Sequence, residues 1–97
     1  MKYLVDIDGT ICTNTYGEYT LAEPYLDRID RLNRLFDEGH EIHYWTARGS
    51  SSGIDWTELT LYQIAKWEAK HTSVQLRKPV YDLWIDDKAI NSETFFK

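Results

Sequence analysis

The sequence has few of the residues that build small secreted proteins or membrane proteins. Its 97 residues include one cysteine, Cys12, and only two prolines and five glycines. A single cysteine excludes the internal disulfides on which many small secreted domains depend. No apolar run approaches the roughly 18 residues of a membrane-spanning helix, and the first apolar run stops at Asp6, so nothing there resembles a signal peptide. We therefore expect a soluble, cytoplasmic protein.

The composition is that of a folded protein with an acidic surface. Apolar residues make up 42% of the chain, and four Trp, seven Tyr and three Phe supply large side chains for a core. Eleven basic and sixteen acidic residues give a net charge of −5, which argues against broad binding to nucleic acid or to an anionic membrane. The length predicts one domain, residues 1–97.

The hydrophobic pattern predicts strands that alternate with helices. Strands are predicted at residues 2–5, 41–45, 74–76 and 81–85, and helices at residues 24–39 and about 55–71. Residues 11–23, rich in Thr, Asn and Tyr, predict an exposed loop or small hairpin. A helix between two strands is typical of a right-handed crossover that leaves the strands parallel. We therefore predict an α/β fold with a small, mainly parallel sheet.

Polar residues follow the predicted strands where each strand ends. In open α/β sheets these ends share one edge, and ligands bind there. The residues at these ends or in the adjoining loops are Asp6, Asp8, Thr10, Thr46, Arg48, Lys78, Asp86 and Asp87. Four carboxylates in one crevice repel one another unless a divalent cation offsets them, and hard oxygen ligands suit Mg²⁺. An ammonium group and a hydroxyl are what a phosphoryl group needs.

Taken together, these motifs resemble those of the haloacid dehalogenase (HAD) superfamily. Asp6-Ile7-Asp8-Gly9-Thr10 resembles the first motif of the family, Thr46 the second, Lys78 the third and Asp86-Asp87 the fourth. The match covers nearly the whole chain in the family's order. Residues 76–89 also resemble small HAD proteins of capsular and surface polysaccharide biosynthesis. The resemblance implies a three-layer, Rossmann-like core.

The resemblance implies a phosphatase that works through a phosphoaspartyl intermediate. Asp6 would attack the phosphorus, and Asp8 would act as general acid and then as general base. The implied phosphate-binding residues are Thr10, Thr46, Ala47 and Lys78. The implied Mg²⁺ ligands are Asp6, Asp8 through its backbone carbonyl, Asp86, and Asp87 directly or through water. Gly9 would let the chain turn sharply beside the phosphate.

The resemblance also bears on the substrate. HAD cap domains are inserted after the first motif or between the second and third, which here are residues 11–23 and 50–77. The first interval holds only a flap, and the second is largely taken up by a helix that the core needs, so we predict an enzyme without a cap. The expected substrate is a sugar phosphate or related metabolite, with Arg48 and Ser50 as candidate substrate contacts. Such enzymes tend to act on large substrates or to oligomerise, which leaves a homo-oligomer open.

Alternatives exist for the residues and for the whole chain. The acidic pairs could cap turns or a helix, Thr46 could be a simple strand-end hydroxyl, and Lys88 could replace Lys78 as the phosphate lysine. Cys12 has no basic partner in the pattern, so we expect a buried side chain rather than a nucleophile. For the chain, the alternatives are a phosphatase that acts on nucleotide or nucleic-acid ends, and a non-catalytic HAD-fold binding protein.

Overall fold

Three parallel strands in chain order form the sheet. A computed structural model describes all 97 residues. The strands are β1 (Lys2–Val5), β2 (Glu41–Trp45) and β3 (Ser73–Gln75), and β2 lies between the other two. Tyr44 of β2 pairs with Val5 on one side and with Val74 on the other. The carboxyl ends of all three strands therefore lie at one edge, as predicted.

Helices connect the strands. α1 (Leu26–Asp37) and α2 (Thr57–Lys66) are the two crossovers, and a short α3 (Ser92–Phe95) follows later in the chain. α1 buries Ile29 and Leu32, which recur at helical spacing, while charged residues occupy its other face. It is followed by Gly39 in the left-handed conformation, with φ at 99°. None of these helices has the length and apolar composition needed to cross a bilayer.

The core lies on one face of the sheet. Two right-handed crossovers that progress in the same direction put their helices on the same side. The buried side chains of the strands and of both crossover helices accordingly form one cluster, whose central members are Val5, Ile29, Leu32, Ile42, Tyr44 and Ile64. On the opposite face Leu4 is 63% exposed. The predicted α/β fold with a small parallel sheet is confirmed, and of the three predicted layers the chain builds the sheet and one layer of helices.

The strand predicted at residues 81–85 is not formed. This segment is irregular, and Leu83 and Ile85 are 76% and 89% exposed. Trp84 instead packs edge to face against Trp45, with 6.1 Å between the ring centroids. An apolar run predicts that side chains seek burial, but a strand forms only where its backbone finds a partner, and these residues pair with neither edge of the sheet.

The second predicted helix ends earlier than expected. α2 stops at Lys66 rather than near His71 because Glu68 adopts a left-handed conformation, with φ at 55°. The Asn33 side chain fixes this turn: its amide donates to the Glu68 carbonyl at 2.8 Å and accepts the Lys70 N–H at 2.8 Å. The end of α2 is therefore set by a contact from α1, which no local pattern reveals.

We predict that Leu32→Ala lowers the free energy of unfolding by about 2–5 kcal/mol, because it opens a cavity under the sheet. Leu26→Ala in the same helix is the matched control, since Leu26 is 63% exposed and Leu32 is fully buried. The control should change stability by about 0.5 kcal/mol or less. Urea unfolding measures both variants. Equal losses in the two would contradict the core described above.

Candidate active site

The chain turns sharply after β1 and presents two carboxylates at the sheet edge. Gly9 has a φ of 83°, which strains a residue that carries a side chain. Its N–H donates to the Cys12 carbonyl at 2.9 Å, and the Thr10 N–H donates to the Ile7 carbonyl at 3.0 Å. Ile7, between the two aspartates, is 1% exposed and packs in the core. The neighbouring Asp6 and Asp8 are only partly buried, so both carboxylates reach the edge.

The Asp6 carboxylate lies between an ammonium group and a hydroxyl. Lys78 Nζ donates to Oδ1 at 3.2 Å, and Thr10 Oγ1 donates to Oδ2 at 3.3 Å. The Asp6 side chain is 36% exposed, whereas that of Lys78 is 11% exposed. Lys78 is the lysine at the site, while Lys88 lies on an exposed turn. Asp6 is thus a reachable carboxylate with a positive charge beside it.

Two aromatic rings cover the Lys78 ammonium. Nζ lies 5.1 Å from the Tyr81 ring centroid and 5.9 Å from that of Trp84. Cation–π contacts of this kind favour a charged ammonium and restrict its motion. The backbone adds a second restraint, because the Lys78 N–H donates to the Thr46 carbonyl at 3.0 Å. The loop after β3 is therefore fixed to the end of β2.

The Asp8 carboxylate forms a buried pair with Arg48. Arg48 Nε donates to Oδ2 and Nη2 donates to Oδ1, both at 2.9 Å. The third nitrogen, Nη1, donates to Thr60 Oγ1 at 3.2 Å and to Gln63 Oε1 at 2.6 Å. The guanidinium also lies 4.7 Å from the Tyr19 ring centroid. The Arg48 side chain is 0% exposed, so it is not available as the substrate contact that we expected.

The remaining residues after β2 shape the loop around the site. Thr46 is 1% exposed, and its Oγ1 accepts the Arg48 N–H at 3.1 Å. Ala47 is half-buried beside it. Ser50 is exposed, and its hydroxyl donates to the Lys78 carbonyl at 2.8 Å. Thr46, Ala47 and Ser50 thus lie along the loop that is joined to the Lys78 loop.

The flap, defined here as residues 13–23, is tethered at both ends. Its base is closed by the Thr13 N–H, which donates to the Glu23 carbonyl at 2.9 Å. Within it a 3-10 helix spans Tyr19–Leu21, and Gln63 Nε2 donates to the Tyr19 carbonyl at 2.6 Å. The preceding Ile11 is fully buried, although it lies in the segment predicted as an exposed loop. Cys12 is fully buried as expected, and its backbone bridges to both Asp8 and Pro24.

Asp86 and Asp87 are not brought into a cluster with the first two aspartates. No three His, Cys, Asp or Glu side chains lie close enough together to hold a metal ion. Asp86 is exposed and accepts hydrogen bonds from the Lys88 N–H at 3.0 Å and from Trp84 Nε1 at 3.3 Å. These bonds, the Lys88 one first, lower the pKa of Asp86. The expected four-carboxylate crevice is absent because residues 81–85 do not pair with the sheet and so do not carry Asp86 to its edge.

One solved structure shares the fold of this chain, and one known protein resembles part of its sequence. The crystal structure of an MCSG target from Vibrio cholerae, a HAD-like protein, matches with a TM-score of 0.88 and 25% identity, over 98% of this chain and 86% of that one. A phosphoglycolate phosphatase from Nitrosopumilus maritimus (strain SCM1), a HAD enzyme, is 38% identical over 52 residues, which are 54% of this chain. The chain therefore has a HAD-like fold and resembles a HAD enzyme over part of its sequence.

The match to the phosphatase is local. The matched region is 20% of the length of that protein, so the chain spans about a fifth of its relative. No protein-family model matches the chain. The HAD-like fold nevertheless holds for the chain as a whole, and residues 11–23 and 50–77 contain no cap domain, as predicted. The site is therefore open at the sheet edge.

The donors at this site fit Mg²⁺ only in part. Asp6 offers the hard carboxylate oxygens that the ion prefers, and it is accessible. Arg48 engages both carboxylate oxygens of Asp8, which leaves the backbone carbonyl of Asp8 as its predicted ligand atom. Asp86 and Asp87 do not join Asp6 in a group of side chains that could hold an ion. The residues as placed do not complete a magnesium site.

Thr60 and Gln63 are residues of the site that the sequence patterns did not identify. Tyr19, Thr60 and Gln63 hold the Arg48 guanidinium, yet none of them belongs to a HAD motif. A signal was present, since Thr60 and Gln63 are polar residues three apart on the helical face that also carries the buried Ile64. Polar residues on the buried face of a helix require a polar partner.

The Cys12 thiol is structural, in agreement with the sequence reading. Its Sγ lies 3.6 Å from the Ile7 carbonyl oxygen and 3.6 Å from Asp8 Oδ1. Burial, and then the Asp8 carboxylate, raise the pKa of Cys12 to about 12. The thiol form therefore predominates at neutral pH, and the side chain is not a nucleophile.

We predict that Cys12 does not react with a thiol reagent in the native protein at pH 8. With a pKa of about 12, roughly one thiol in ten thousand is ionised at that pH. Labelling with a chromogenic disulfide should be complete within minutes in guanidinium chloride and negligible in buffer. Cys12→Ser is the blank. Rapid stoichiometric labelling of the native chain would contradict the burial and the pKa direction.

Proposed function

We propose that the chain is a HAD phosphatase that hydrolyses a phosphate monoester through Asp6, with Mg²⁺ as cofactor. The observation that carries this proposal is the accessible Asp6 carboxylate, held between the Lys78 ammonium and the Thr10 hydroxyl at the sheet edge. The relative that is a phosphoglycolate phosphatase supports the same reaction class.

In the proposed reaction an Asp6 carboxylate oxygen attacks the phosphorus, and the bond from phosphorus to the ester oxygen breaks. Asp8, which takes up a proton from solvent before this step, gives that proton to the departing oxygen, so the leaving group departs as an alcohol. Water then attacks the phosphorus of the phosphoaspartyl group, and Asp8 accepts a proton from that water. The bond between phosphorus and the Asp6 oxygen breaks, so inorganic phosphate is released and the Asp6 carboxylate is regenerated. The Lys78 ammonium lies where it offsets charge on the phosphoryl oxygens.

Mg²⁺ belongs to the proposal because the HAD phosphatases that the chain resembles use it. When bound, the ion would offset negative charge on the transferring phosphoryl group. Asp6 is the ligand that the site provides, and Asp86 and Asp87 are ligands by resemblance alone. The assays below are therefore run with and without the ion.

The proposed substrate is a small metabolite such as a sugar phosphate. A cavity of about 690 Å³ adjoins Lys78, lined by the loops after β2 and β3. Its polar lining includes Ser50, Ser51, Asp55 and Arg77. Polar groups of both charges suit a leaving group with several hydroxyls, and the volume is that of a small-molecule site. The resemblance to polysaccharide-biosynthesis proteins, a cytoplasmic location and a homo-oligomer stay predictions.

We predict that Asp6→Asn abolishes phosphate release. A panel of sugar, glycolate and aryl phosphates is assayed for inorganic phosphate with Mg²⁺ and with a chelator instead. Loss of the nucleophile should lower kcat by at least about a thousandfold. Asp30→Asn is the matched control, because the Asp30 side chain is 70% exposed on α1 and should leave kcat unchanged.

Two results would contradict the proposal. Full turnover by Asp6→Asn would exclude the covalent route. A wild-type protein that binds phosphate but releases none from any ester would favour the non-catalytic binding protein.

We predict that Lys78→Gln lowers kcat/KM by roughly a hundredfold to a thousandfold, because the phosphoryl oxygens lose their positive partner. Lys88→Gln removes the same charge from an exposed turn and should change kcat/KM less than about twofold. Steady-state kinetics on the best panel substrate measures both. A larger loss in Lys88→Gln would assign the phosphate lysine to position 88 instead.

A further inference from the structure

The Arg48 guanidinium is buried more completely than the carboxylate that it binds. Its side chain is 0% exposed, and that of Asp8 is 17% exposed. All three of its nitrogens donate hydrogen bonds within the protein: two to Asp8, and the third to both Thr60 and Gln63. A buried charge is costly unless it is paired in this way. The chain therefore builds a dedicated setting for one cation directly behind Asp8.

We propose that Arg48 is a positioning residue for Asp8, and that Thr60, Gln63 and Tyr19 hold Arg48 in place. The inference rests on the proposed function, in which Asp8 moves a proton. A bidentate pair fixes the plane of a carboxylate as well as its location. Asp8 can meet the leaving oxygen only in the orientation that Arg48 sets.

The geometry also distinguishes the two oxygens of Asp8. Each oxygen has two acceptor positions, and Arg48 occupies one position on each. Oδ1 has a further contact with Cys12 Sγ at 3.6 Å. Oδ2 has no second partner within the protein. Oδ2 is thus the oxygen that faces the reaction in this assignment.

Gln63 connects this unit to the flap. Its Oε1 accepts from Arg48 at 2.6 Å, and its Nε2 donates to the Tyr19 carbonyl at 2.6 Å. The Tyr19 ring packs over the guanidinium at 4.7 Å and stands edge to face with Trp56 at 5.1 Å. The flap and α2 therefore both restrain the position of Asp8, and they do so through their contacts with Arg48.

The test is the dependence of kcat on the leaving group. An alkyl phosphate needs a proton on its departing oxygen, whereas p-nitrophenyl phosphate departs well without one. Arg48→Lys and Gln63→Met should lower kcat on the alkyl ester by about a hundredfold to ten-thousandfold, the size of a general-acid effect. On p-nitrophenyl phosphate the loss should be below about tenfold, with KM little changed on either ester because Lys78 is intact.

The matched control is Arg34→Lys, since Arg34 is 70% exposed on α1 and should leave both rates unchanged. Gln63→Met keeps the ion pair itself and so provides a folded variant if Arg48→Lys unfolds. Equal losses on both esters would overturn the assignment and leave Arg48 a purely structural role, with the proposed function intact.

A second measurement separates failure of the inference from failure of the proposed function. The Arg48 Nε–H should give a slowly exchanging proton NMR signal in the native protein, because it is buried and bonded to Asp8. Fast exchange of that proton would overturn the inference whatever the kinetics. A slow signal with no turnover by the wild-type chain would show that the pair exists and that the proposed function, and the positioning role with it, is wrong.

Discussion

The ion pair between Arg48 and Asp8 is the constraint on which the rest of the site depends. It joins the turn after β1 to the loop after β2, and through Thr60 and Gln63 it reaches α2. Removing one partner of a buried pair leaves the other charge unpaired, which typically costs about 3–5 kcal/mol. The polar residues on the buried face of α2 follow from this requirement. A helix that packed only apolar residues there would leave the guanidinium without acceptors.

Two carboxylates two residues apart thus occupy different environments. Asp6 is 36% exposed and shares an ammonium that is itself covered by aromatic rings, whereas Asp8 is 17% exposed and is held by a rigid guanidinium fork. One carboxylate is presented to a ligand, and the other is fixed in orientation. Environments that differ in this way allow chemically identical groups to take different roles at one site. The turn at Gly9 makes the separation possible, because it reverses the chain within three residues of Asp6.

The parts of the structure that the sequence predicted are those set by local pattern and by chain handedness. The apolar run of β1, the helical spacing of Ile29 and Leu32 and the right-handed crossovers suffice to bring Asp6, Thr46 and Lys78 to one edge. Local pattern could not predict the partners of Arg48, because the packing of α2 against the flap determines which residues contact the guanidinium. The strand predicted at residues 81–85 was wrong for a related reason. The apolar pattern is compatible with a strand, but a strand also needs a pairing partner, and the edge strand β1 lies about 80 residues away in the chain.

The same contacts offset the negative charges of Asp6 and Asp8. Lys78 offsets the charge of the first carboxylate and Arg48 that of the second, so the folded site is close to neutral before any ligand arrives. In the proposed reaction an incoming phosphate monoester would change this balance, because its oxygens would compete with Asp6 for the ammonium of Lys78. Asp6 would then face an anion without its counter-charge, at the moment when it must approach the phosphorus. In the proposed reaction, charge balance therefore calls for an additional cation in the substrate complex, and this is the role that the proposal gives to Mg²⁺.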